Sequence, residues 1–100
     1  MSIPSQPVAD TEELERTLRE LLAPERLPDY IQSARYELST DQWGEPLVRI
    51  YLAITPETDE TLFRNKQKLE AYSVYKQDLA KRIIRLESGY LPFIRLVEAA

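Results

Sequence analysis

The spacing of apolar residues changes period several times along the chain, and each change marks a predicted element. Leucines recur at 14, 18, 21 and 22, the spacing that lays one apolar stripe along a helix. Asp10 and Glu13 stand at its start in a capping-box-like arrangement, with acids near the positive end of the helix dipole. Pro24 biases Ala23 away from helical backbone, so the helix is predicted to end near Leu22, with one further turn beginning at Pro24. Beyond Tyr30 the period becomes two. Ala34, Tyr36 and Leu38 alternate with Ser33, Arg35, Glu37 and Ser39; "LVRIYLAIT" then sets Val48, Ile50, Leu52 and Ile54 against Arg49, Tyr51 and Ala53. That alternation describes two strands, each with one buried face. Between them "TDQWGEP" supplies the turn formers Asp41, Gly44 and Pro46.

The side chains also choose the pairing of these strands. If paired positions sum to 86, Leu38 meets Val48, Tyr36 meets Ile50 and Ala34 meets Leu52, while Glu37 lies opposite Arg49 on the other face. A slip of one residue would mix buried with exposed positions. The loop left over runs from Asp41 to Glu45.

"PETDE" ends the hairpin, with Thr58 or Asp59 as the expected cap of the next helix. The run from Thr61 to Glu87 contains no glycine or proline, and Gly89 suits the left-handed position that follows a helix. One unbroken helix of about 28 residues would be ~42 Å long, whereas a strand of about nine residues spans ~30 Å. The helix must therefore bend or break, with Ser73-Val74 as the expected place, or project its first turns. Leu69, Tyr72, Leu79, Ile83 and Leu86 line one face with Tyr75 near it, and the stretch around Leu62 and Phe63 reads as less buried. "YLPFIRLVE" closes the chain as a short strand, placed at a sheet edge by Pro92.

The predicted fold is an α+β two-layer sandwich of order α-β-β-α(α)-β: a three-stranded mixed sheet with helices on one face. The last crossover is parallel and expected right-handed. Residues 1–9 read as a flexible arm and 10–100 as a single α+β domain, the usual unit for a chain of 100 residues.

Composition narrows the chemistry. The chain has no cysteine and no histidine, which removes thiolate and imidazole nucleophiles, bases and metal ligands together. The acids of "DTEELE" and "ETDE" read as helix-start residues rather than as a catalytic dyad or a metal site. No nucleotide-binding glycine pattern or nucleophile elbow is present. The expectation is a protein that is not an enzyme, with no catalytic residues, no cofactor and no metal. No apolar run approaches a membrane span, and the N-terminus has neither the basic region nor the apolar core of a signal peptide; the expected location is the cytoplasm.

Charge is unevenly spread. Residues 1–60 hold 13 acids and 5 bases, residues 61–100 hold 4 acids and 8 bases, and the whole is net −4. The halves can attract each other, a second copy or a charged partner.

A thin sheet covered on one side leaves its other side available. Here that side is expected to carry Arg35, Glu37, Arg49, Tyr51, Ala53, Phe93, Arg95 and Val97. Arginine and aromatic rings are enriched at protein interfaces, so Arg35, Arg49, Tyr51, Phe93 and Arg95 are candidate partner contacts. A wet amphipathic face is the plain alternative. Trp43, in the hairpin loop, joins the candidates, against the ordinary expectation that a loop tryptophan folds back over its hairpin.

A second candidate lies in "RNKQKLEAYSVYKQDLAKR", where Lys66, Lys68, Tyr75 and Lys76 combine cations with an aromatic ring, the parts used for nucleic-acid backbone contact and base stacking. The order of elements from about Asp10 to Val97 resembles the type II KH arrangement in outline, which implies RNA binding. The KH signature is a glycine-containing GxxG loop between two helices, and "LEAYSVYKQ" has no glycine, so no family residue carries over. Against this, Tyr72 reads as core and the lysines as a solvated helix face. The leading expectation is a small protein-interaction domain: a homodimer, or the accessory or antidote subunit of a two-component system such as a toxin–antitoxin pair. KH-like RNA binding through the basic helix is the alternative.

Overall fold

The computed structural model describes residues 7–99. In chain order they form α1 (Pro7–Leu21), a 3-10 turn (Pro24–Arg26), β1 (Ser33–Thr40), β2 (Pro46–Ile54), α2 (Pro56–Arg64), α3 (Lys66–Ile84) and β3 (Leu91–Glu98). The sheet order is β1-β2-β3, with β1 antiparallel and β3 parallel to β2. This is the predicted α+β architecture, a mixed sheet with helices packed on it.

The hairpin register is the one the side chains demanded. Leu38 pairs with Val48, Tyr36 with Ile50, Ala34 with Leu52 and Glu37 with Arg49. On the helix side of β2, Val48, Ile50, Leu52 and Ile54 are buried, and Leu14 and Leu18 of α1, Leu62 of α2, and Leu79 and Ile83 of α3 close the core. Each such side chain contributes roughly 1.5–3 kcal/mol by leaving water. Tyr36 fastens β1 to α1, its hydroxyl donating to Glu15 Oε1 at 2.8 Å.

At the edge, Ala99 N–H donates to Ile54 O at 2.8 Å. Alternate residues of a parallel strand turn their backbone groups to the partner, so odd-numbered residues of β3 face β2 and Pro92 faces outward. There its missing N–H breaks no ladder bond.

The helices depart from expectation at their ends. The arm expected over residues 1–9 lies outside the described residues as far as position 6, and from Pro7 the chain is already helical. Asp10 is thus inside α1 and not its cap; proline at a first helical position has its φ preset for the helix. The cap of α2 is Thr55, whose Oγ1 accepts from Thr58 N at 3.2 Å, with Pro56 following, so Thr58 and Asp59 fall within the helix. The break comes at Asn65 and not at Ser73-Val74. Asn65 is extended (φ −114, ψ 111) and its Oδ1 accepts from Lys68 N at 3.0 Å, capping α3. Asparagine favours caps over helix interiors, whereas serine and valine cost a helix only tenths of a kcal/mol each. The break also resolves the length mismatch, because a 19-residue α3 is ~28 Å long, close to a strand of this sheet. Leu62, expected to be less buried, is enclosed by the core. The C-terminal end of α3 comes early, at Ile84, and the left-handed positions after it are Glu87 (φ 54) and Gly89 (φ 89).

Candidate functional site

The period-two pattern that buries the even-numbered side of each strand must turn the odd-numbered side the other way, and the burial of all three strands alternates accordingly. The register sets these side chains in rows across the sheet. Arg35, Tyr51 and Arg95 form one row; Glu37, Arg49 and Phe93 form the next; Ser39, Leu47 and Leu91 lie nearest the hairpin turn. Arg35, Tyr51, Arg95, Arg49 and Phe93, five of the predicted partner contacts, therefore share one surface.

Within it the polar groups are organised. The Arg35 guanidinium lies 4.1 Å from the centroid of the Tyr51 ring, a favourable cation–π placement. The Tyr51 hydroxyl donates to Glu37 Oε1 at 3.0 Å. Glu37 stands opposite Arg49 as the register requires, yet its carboxylate takes the tyrosine; the ion pairs among the described residues are Arg64–Glu60 and Arg82–Asp78, both on helices. Arg49 is half-buried, and its Nε is shut off from solvent with no acceptor among the described residues. Phe93 is 49% exposed and Leu91 62%. Leu91 and Leu47 were not singled out from sequence, although the parity of Phe93 and Tyr51 already assigned them to this face.

Trp43 does not fold back over its hairpin: it is 77% exposed. The loop that presents it is tightly built. Asp41 Oδ1 accepts from the backbone N–H of Trp43 and of Glu45, each at 2.8 Å. Gly44 N–H donates to Asp41 O at 3.0 Å, and Asp41 N–H to Glu45 O at 2.9 Å. Gly44, at φ +80, takes the left-handed step that this closure needs. An indole held out by a bonded loop loses little further entropy when it meets a partner.

The nucleic-acid candidates all lie on α3. Lys66 and Lys68 are exposed at the start of α3. Tyr75 is partly buried, packed against the core with its hydroxyl shielded from solvent. Lys76 reaches back one turn along the helix, its Nζ 5.6 Å from the centroid of the Tyr72 ring. The segment "LEAYSVYKQ" lies wholly inside α3, and the real helix–helix junction, Arg64-Asn65-Lys66, also lacks glycine. Burial raises the pKa of Tyr30, Tyr72 and Tyr75, and the neighbouring tyrosines add to this for the last two. The Tyr36 hydroxyl is raised first by burial, then by its bond to Glu15 and the charge there, with Arg19 opposing.

No three carboxylates among the described residues converge to hold a metal ion. No helix among them is long and apolar enough to cross a membrane. No protein-family model, curated protein or solved structure matches the chain.

Proposed function

We propose that this chain is a non-enzymatic interaction domain that docks onto another polypeptide through its open sheet face and hairpin tip, as the accessory subunit of a larger assembly. The observation that carries the reading is the coincidence, on one sheet face, of three arginines, a fixed tyrosine and exposed Leu91 and Phe93, with an exposed tryptophan in the hairpin loop at its end. Tryptophan, tyrosine and arginine are the residues in which interface energy concentrates.

The test is capture from the native host with the wild-type chain and with two variants, Phe93→Glu on the sheet and Lys66→Glu on α3. A protein retained by wild type and by Lys66→Glu but lost with Phe93→Glu supports the reading. Retention by Phe93→Glu together with loss by Lys66→Glu rejects it, and RNA recovered in place of protein would favour the basic helix.

A further inference from the structure

We infer that the occupant of the open face is an acidic segment of a different polypeptide, laid across the strands with an apolar side chain against Phe93 and Leu91. The inference rests on the interaction reading above and narrows it to one partner chemistry.

Charge is the first ground. The face holds Arg35, Arg49 and Arg95 against a single acid, Glu37, in a chain that is net −4. Glu37 is already engaged by the Tyr51 hydroxyl. A positive island on the sheet attracts carboxylates locally, and charge complementarity of this kind confers selectivity.

Arg49 is the second ground. A half-buried arginine at the centre of the sheet, with a shielded Nε that finds no acceptor, brings a desolvation cost without a visible structural return. Arg49 stands in the row between Glu37 and Phe93, and a guanidinium there can grip an incoming carboxylate in bidentate fashion.

Area and symmetry argue against a second copy. Three strands 4.8 Å apart and about eight residues long present a flat footprint of only ~370 Å², a small platform for a face-to-face dimer. Stacking two such faces would also set arginines against arginines. A segment of chain needs far less area than a second folded domain.

Nucleic acid fits less well than a peptide. One side of the Tyr51 ring is taken by Arg35, the Glu37 carboxylate beside it repels phosphates, and Leu47 of β2 with Leu91 and Val97 of β3 adds aliphatic surface.

The experiment is selection of short random peptides, displayed on phage, against the whole immobilised chain, followed by NMR mapping of the winners. The expected result is enrichment of Asp and Glu around one or two apolar residues, with shifts at Arg35, Arg49, Phe93, Arg95 and Trp43. Arg35→Glu/Arg95→Glu, checked for unchanged fold by circular dichroism, should weaken these peptides about tenfold or more and shift selection toward basic sequences. Lys66→Glu/Lys68→Glu makes the same charge change on α3 and should leave affinity unaltered. Neutral or basic winners that map to the face would overturn the acidic preference while leaving the interaction reading intact. Winners that map to the helices, or no enrichment at all, would overturn both. Displacement of the acidic peptide by an equimolar single-stranded oligonucleotide would assign the face to phosphate instead.

Discussion

Tyr75 carries a hydroxyl that is shut away from water with no acceptor among the described residues, on a partly buried ring packed against the core. Leaving such a group unpaired costs about 1–3 kcal/mol. Tyr75→Phe should therefore hold or raise stability, by up to about 1 kcal/mol in urea unfolding. A clear loss would mean that the hydroxyl has a partner. Asp41 is the opposite case, a small side chain with several bonds to keep. Asp41→Ala removes the acceptor for Trp43 N–H and Glu45 N–H, and should cost about 1–2 kcal/mol. Because Trp43 is the only tryptophan in the sequence, its fluorescence anisotropy reads the loop directly and should fall in that variant. Unchanged anisotropy would show that the loop is held by something else. Neither residue's role is visible in the sequence: whether a hydroxyl meets an acceptor depends on the packing of separate elements, and Asp41 advertises only a turn.

For strands, a period of two and a single buried face leave one workable register, and Ala34, Tyr36 and Leu38 with Val48, Ile50 and Leu52 specify it completely. The helices were less legible because their ends depend on which of several competent caps is used. Thr55, Thr58 and Asp59 could each have started α2, and Thr55 prevails because Pro56 behind it fits the first helical turn. Asn65 stands in a polar run that looked continuous, and its capping bond to Lys68 N is a local choice that propensity alone does not decide. Asn65→Ala should lose about 1 kcal/mol through that cap, with an unchanged denaturant slope. No loss, or a gain in helical circular dichroism, would indicate that α2 and α3 can fuse. The lesson is physical: periodicity fixes faces, while caps and breaks turn on free energies near 1 kcal/mol.

Taken whole, the molecule couples its stability to alkaline pH through Tyr30, Tyr36, Tyr72 and Tyr75, each held above the ordinary tyrosine value of 10.0, chiefly by burial. The raised pKa means that the unfolded chain gives up these protons first. Stability should be full below about pH 10 and fall as the pH climbs toward the folded values. Urea midpoints at about pH 9 and about pH 11 check the sign; an equal or higher midpoint at the alkaline end would refute it. The site was half legible. Strand parity placed Arg35, Arg49, Tyr51, Phe93 and Arg95 on one surface, but the exposure of Trp43 and the capture of Glu37 by Tyr51 required three dimensions. Radical footprinting of side chains in the complex with a captured protein partner probes that surface most directly. Trp43, Leu91 and Phe93 should lose reactivity on binding while Phe63 and Val74, exposed on α2 and α3, keep theirs. Protection of Phe63 and Val74 with Trp43 and Phe93 still reactive would place the partner on the helices and contradict docking through the sheet.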